Sequence, residues 1–210
     1  MRVRRRYGIW IAMLGILAAA APGSTAGPFE AGIGVGYAAP RANRLADLYD
    51  PGPTFHLLVA RRFDRPAVSL GFEIGYIRRS ADLSSPFFVG SPRATLTWIP
   101  LELTVRAPLR PEAALTPIVG VGGTLLWARE RFEYDLLDEP NTLQPDDRVD
   151  PGFLLLAGLE RTIAPRFRIE AYLSVVPTEP HVATSEWVRP AEDEELDAGS
   201  FGVRLHWRFP

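Results

Sequence analysis

The chain has no cysteine, no lysine, two methionines and three histidines in 210 residues. Without cysteine there is no disulfide framework and no thiolate metal site, so a fold must be held by burial, hydrogen bonding or a membrane. All 23 basic residues are arginine, which reads mainly as a bias of genome composition. Beyond the N-terminus no run is long and apolar enough for a transmembrane helix, so any membrane insertion must be by strands. No stretch there shows a helical stripe over more than three turns.

The N-terminal stretch "MRVRRRYGIWIAMLGILAAAAPGSTAG" is different. Arginines at 2, 4, 5 and 6 precede an apolar run from Tyr7 to Ala21, with small residues at Ser24 and Ala26. That is the layout of a secretory signal peptide, cleaved after Ala26; as a membrane anchor the run is short of about 20 residues. The expected organisation is a signal peptide over 1–26 and one domain over 27–210. Removing 26 of 210 residues leaves 184, enough for one domain, and takes four of 23 arginines, leaving 19 bases against 25 acids. That acidic balance argues against nucleic acid as a partner.

What is abundant is alternation with period two. It predicts eight strands, at 29–37, 54–63, 68–79, 93–106, 116–128, 152–162, 167–177 and 199–209. Long polar connections follow strands one, three, five and seven (38–53, 80–92, 129–151 and 178–198), and short ones follow strands two, four and six. Long and short loops therefore fall at opposite ends. Transmembrane barrels have this asymmetry, with short periplasmic turns, long external loops and an even strand number, which puts both termini on the periplasmic side. Strands of about ten residues also suit a tilted crossing of the hydrocarbon layer.

The faces of these strands decide between a soluble and a membrane barrel. In "FGVRLHWRFP", Phe201, Val203, Leu205, Trp207 and Phe209 oppose Gly202, Arg204, His206 and Arg208. In "FRIEAYLSVV" the set Phe167, Ile169, Ala171, Leu173 and Val175 opposes Arg168, Glu170, Tyr172 and Ser174. The polar face mixes glycine with isolated charges. A water-exposed face would favour Thr, Gln and Lys, and interior glycines would only weaken it. A narrow lumen instead needs small residues and charges that can pair. The inward parity collects five acids (Glu30, Glu73, Glu102, Glu160, Glu170) and five bases (Arg62, Arg106, Arg168, Arg204, Arg208), a balance expected of groups sharing one interior. An eight-stranded barrel is only wide enough for side chains, so such a network would fill it and give a plugged barrel.

Arg61 and Arg78 fall on the outward parity near strand ends, where an outward arginine costs only about 0–1 kcal/mol. Tyr37, Tyr76 and Trp127 at the loop end, with Trp207 and Phe209 at the turn end, suit interfacial girdles. Pro100 falls inside strand four, where a closed barrel has no edge, so a bulge is expected there. "GFLLLAGLE" is apolar on both faces, which leaves its register open.

Together "TWIPLELTVR", "TPIVGVGGTLLW", "GFLLLAGLERTIAPRFRIEAYLSVV" and "FGVRLHWRF" resemble the small outer-membrane β-barrel domains of Gram-negative bacteria, of the OmpA and OmpX kind, over essentially the whole mature chain. The resemblance implies an all-β fold, an eight-stranded antiparallel up-and-down transmembrane barrel, in the outer membrane. It further implies contact with outer-membrane lipid and lipopolysaccharide, and biogenesis through the barrel-assembly machinery and periplasmic chaperones. Such barrels commonly end in an aromatic residue; here Phe209 is penultimate and Pro210 follows. The role implied is structural or interactive, as a monomer, with nothing appended after strand eight.

Barrels of this size include enzymes acting on lipid A, whose deacylases pair a histidine with a serine two positions on. His56, His181 and His206 have no such serine; "HVATSE" sets Ser185 and Glu186 four and five positions after His181. No catalytic residue, cofactor or metal site is expected. The alternatives are a lipid-modifying enzyme or a soluble, lipocalin-like periplasmic binder with an apolar cavity. The third and fourth long loops hold eight and seven acids. They could bind divalent cations bridging to lipopolysaccharide phosphates or be simply solvated, and "AEDEELDAG" lacks the spacing of a calcium loop. Phe87, Phe88 and Trp187 at loop tips could be partner contacts or could pack on one another.

Overall fold

The computed structural model describes residues 26–40, 49–64, 67–82, 93–136, 139–142, 146–176 and 198–209. The strands are β1 (Ala26–Pro40), β2 (Gly52–Asp64), β3 (Ala67–Asp82), β4 (Arg93–Pro108), β5 (Thr116–Leu136), β6 (Glu139–Thr142), β7 (Asp146–Ala164), β8 (Phe167–Val176) and β9 (Ala198–Arg208). All neighbours pair antiparallel; β9 returns to β1, and β4 to β5. Eight strands thereby close a barrel, and β6 is a short extra strand on the upper part of β5. The expected all-β, eight-stranded up-and-down barrel is the observed fold. Except for Ala26, which opens β1, the expected signal segment lies outside the described residues.

The alternation of the sequence becomes the two surfaces of the wall. On β2, Phe55, Leu57 and Val59 point outward while Thr54, His56, Leu58 and Ala60 are buried. On β8, Phe167, Ile169 and Leu173 point outward and Arg168, Glu170, Tyr172 and Ser174 are buried. "GFLLLAGLE" takes the register with Phe153, Leu155 and Leu159 outward and Leu154, Leu156 and Glu160 inward. Its two inward leucines are interior packing, which is why alternation alone left it ambiguous.

Two expectations are corrected. The third long connection, 129–151, is largely strand: β5 continues to Leu136, β7 begins at Asp146, and β6 pairs with residues 133–136. Polar composition hid it, because strands that rise beyond an apolar band no longer alternate in hydropathy. At Pro100 there is no bulge. The β4–β5 ladder runs through Pro100↔Leu126, and the β3–β4 ladder lapses between Ile74↔Leu101 and Ile77↔Trp98 without changing register. The missing N–H therefore falls on the β3 side. Opposite it stands Gly75, where a Cβ would lie 2.7 Å from Pro100 Cγ. The glycine admits the ring, so the strand needs no extra residue.

Candidate functional site

The interior carries the chemistry. Eight of the ten charges expected inside are buried (Glu30, Glu73, Glu102, Arg106, Glu160, Arg168, Glu170 and Arg204), and so are Arg79 and Glu130. The side chains of Arg62 and Arg208, near the turn end, retain 28% and 36% exposure.

At the centre four of them form a closed ring. Arg106 Nη2 is 3.1 Å from Glu73 Oε2 and its Nη1 3.0 Å from Glu170 Oε2. Arg204 Nη2 is 2.9 Å from Glu73 Oε1 and its Nη1 2.7 Å from Glu170 Oε1. Each guanidinium thus bridges the same two carboxylates, and each carboxylate spans two guanidiniums. Two histidines close the flanks: His56 Nδ1 is 2.8 Å from Glu73 Oε1, and His206 Nε2 is 2.9 Å from Glu170 Oε2. Tyr172 lies beneath the Arg204 guanidinium, 3.5 Å from ring centroid to Cζ, and its hydroxyl is 3.1 Å from His56 Nε2. Room for that ring comes from Gly36 and Gly202, paired across β1 and β9; a Cβ at 202 would stand 2.9 Å from Tyr172 Cε1.

Towards the turn end a second set forms a chain. Arg208 pairs with Glu30 at 3.3 Å, Glu30 and Glu160 both pair with Arg168, and Glu160 pairs with Arg62 at 2.7 Å. Glu102 is different. It sits directly opposite Glu73 in the β3–β4 ladder and forms no ion pair among the described residues.

Above the ring, at the loop end, the interior turns apolar. Tyr49, Ile77, Leu96, Trp98, Leu126 and neighbouring alanines pack into one buried cluster. Tyr49 precedes β2, and its hydroxyl donates to Glu130 on β5 across a 2.7 Å hydrogen bond. Burial, and then the Glu130 carboxylate, push the Tyr49 phenol well above its ordinary value, so the hydroxyl stays a donor. Arg79, also buried, donates to the Pro53 carbonyl at 3.0 Å and to that of Gly52. Nothing in the sequence around Tyr49 signals this role, because it stands in a connection with no alternation to give it a face.

Below the ring, a cavity of about 610 Å³ enters from the turn end past Arg62, Thr116 and Glu160 and reaches Arg106, Glu170 and His206. Side chains do not fill this part of the interior, in contrast to the expectation, because small residues such as Ala60, Ser69, Ala113 and Ala114 line it.

Outside, Tyr37 and Tyr76 are exposed at the loop end, with Trp127 partly exposed on the same face. Phe167, Trp207 and Phe209 stack at the turn end, with centroids 6.1 and 5.2 Å apart. His181, Ser185, Glu186, Phe87, Phe88, Trp187 and most of the acidic loop residues lie outside the described residues. Among the described residues no cluster of three or more His, Asp or Glu could hold a metal.

No protein-family model matches the chain, and no curated protein is similar to it in sequence. Solved structures are similar in fold. Neisserial surface protein A matches with a TM-score of 0.57 at 10% identity, covering 88% of this chain and 99% of that one. The outer-membrane protein OprG of Pseudomonas aeruginosa matches with 0.55 at 10% identity, covering 87% and 96%. A major outer-membrane protein of Thermus thermophilus matches with 0.55 at 14% identity, covering 86% and 99%.

Proposed function

We propose that this chain, which has the fold of the small outer-membrane β-barrels, is an integral, monomeric outer-membrane protein with a plugged lumen and a structural or surface-interaction role. One observation carries the reading: the wall is apolar outside while the charges of the same strands pair with one another inside. A soluble barrel would reverse those faces, and a lipocalin-like binder would need an apolar cavity where this interior holds an ion-pair ring.

The plug has two layers, the ring around Arg106 and Arg204 and the apolar cluster around Trp98 and Tyr49. The cavity at the turn end stops beneath the first. The proposal includes a leader over residues 1–26, export through periplasmic chaperones and the barrel-assembly machinery, and contact with lipopolysaccharide, with the long loops as the interacting surface. Against an enzyme, the nitrogens of His56 face Glu73, Thr54 and Tyr172, and His206 faces Glu170, which are arrangements for holding the interior together.

The test is gel mobility of the outer-membrane fraction, boiled against unboiled, followed by conductance of the purified barrel in planar bilayers. A heat-dependent shift with no steady conductance is expected. A soluble periplasmic band without a shift would overturn the membrane reading, and a stable open channel would overturn the plug.

A further inference from the structure

One residue of the outer wall is not explained by an apolar band. Arg61 lies on the outward face of β2, opposite Phe29 of β1 and Leu70 of β3. The next residue, Arg62, turns inward to Glu160. Arg61 instead holds its guanidinium 5.0 Å from the centroid of the Phe29 ring and 5.7 Å from that of Phe63. Its Nε is buried without a hydrogen-bond partner, and no carboxylate among the described residues pairs with it.

A guanidinium held on ring faces keeps its planar fork oriented, and that fork matches the oxygens of a phosphate. Arg61 shares a ladder row with the turn-end aromatics, since Phe29 pairs with Arg61 and the Phe209 N–H donates to the Phe29 carbonyl at 2.9 Å, and aromatics of such a belt stand where lipid headgroups lie. Exposed Arg161 on β7 and Arg166 in the β7–β8 turn add positive charge at the same end. The anion missing from the protein is therefore one that the membrane itself supplies.

We propose that Arg61, seated between Phe29 and Phe63, is a binding site for the phosphodiester of a phospholipid headgroup in the leaflet at the turn end. This rests on the membrane-barrel reading, in which the short turns face the periplasm and that leaflet is the inner one. The phosphodiester accepts from the outer Nη N–H groups of Arg61, and the acyl chains lie along Val59, Leu57 and Ile33, which are exposed on the wall.

The experiment is native mass spectrometry of the full barrel released from detergent with added phosphatidylglycerol, and with dioleoylglycerol, which lacks the phosphate, as reference. The wild-type barrel should retain phosphatidylglycerol and not dioleoylglycerol. Arg61→Gln should weaken retention about tenfold. Arg61→Lys should fall between, keeping charge without the fork, and Arg78→Gln, which changes an outward arginine at the other end, should change nothing. Equal retention by wild type and Arg61→Gln overturns the proposal, as does displacement of the lipid by millimolar inorganic phosphate, which would make the ligand a free ion.

The heat-dependent gel shift, run on every protein, reads the barrel itself; its absence in the wild type would overturn the membrane reading instead. The leaflet is read independently. Because the chain has no cysteine, Arg110→Cys in the β4–β5 connection provides a single thiol. It should escape a membrane-impermeant maleimide on intact cells and react after the outer membrane is permeabilised. Reaction on intact cells would overturn the inner-leaflet assignment alone.

Discussion

Arg204 on β9 and Glu73 on β3 are 131 positions apart in sequence and meet inside the barrel, with both Nε and Nη2 of the arginine bonded to Glu73 Oε1 at 3.2 and 2.9 Å. Three strand-to-strand steps separate them around the wall, so the contact crosses the interior rather than following the ladder. Replacing Glu73 by Gln leaves two guanidiniums sharing one carboxylate in a buried site. Breaking such a pair costs about 3–5 kcal/mol. The unfolding midpoint in urea, followed by the gel shift, should fall for Glu73→Gln and likewise for Glu170→Gln. Unchanged midpoints in both would remove the network as a source of stability.

Glu102 has the same parity and burial as Glu73 yet faces it directly, without an ion pair among the described residues. Like charges directly opposite in a ladder are destabilising. Glu102→Gln should therefore leave the midpoint unchanged or raise it. A fall as large as that of Glu73→Gln would show that Glu102 is an equal member of the network.

Leu173 is 54% exposed at the middle of β8. If that face meets hydrocarbon, Leu173→Arg should lower stability by about 2–4 kcal/mol and reduce the amount assembled in the membrane. Normal assembly and yield of this variant would count against the assignment of the faces.

Gly75→Ala places a methyl group 2.7 Å from Pro100 Cγ. Overpacking of this kind costs about 1–3 kcal/mol. Pro100→Ala removes that Cγ, so the double variant should recover most of what Gly75→Ala loses. Strict additivity in a double-mutant cycle would show that the glycine is there for some other reason.

Tyr49→Phe removes the hydrogen bond to Glu130, worth about 1.5–3 kcal/mol when the acceptor is charged. There is also a pH signature. Burial raises the phenol in the folded state above its ordinary value of 10.0, so its contribution is complete below that pH and is lost as the unfolded chain ionises above it. The difference in unfolding midpoint between wild type and Tyr49→Phe should be constant up to about pH 10 and shrink beyond. A constant difference up to about pH 11 would mean that the phenol is not protected.

The ring around Arg204 divides what composition can show from what it cannot. Inward parity picks out all four of its charged members from β3, β4, β8 and β9, because a strand leaves a side chain only two directions. Which arginine meets which carboxylate follows from the order and stagger of strands around the barrel. Period two says nothing of either, so the difference between Glu73 and Glu102 is invisible in it. The same limit explains Pro100. Sequence says that a ring replaces an N–H in strand four, and only the register shows that Gly75 lies opposite and makes a bulge unnecessary.

By itself, then, the sequence determined the class of the fold: eight alternating segments with loops of alternating length permit an antiparallel barrel, and the residues on each face set which could turn inward. Tertiary structure alone decided which inward charges pair and that Glu102 does not, the capping of the interior by Tyr49, the open space beneath Arg106, and the isolation of Arg61 between two rings. Each depends on distances between side chains far apart in the chain, and those exist only once the barrel has closed.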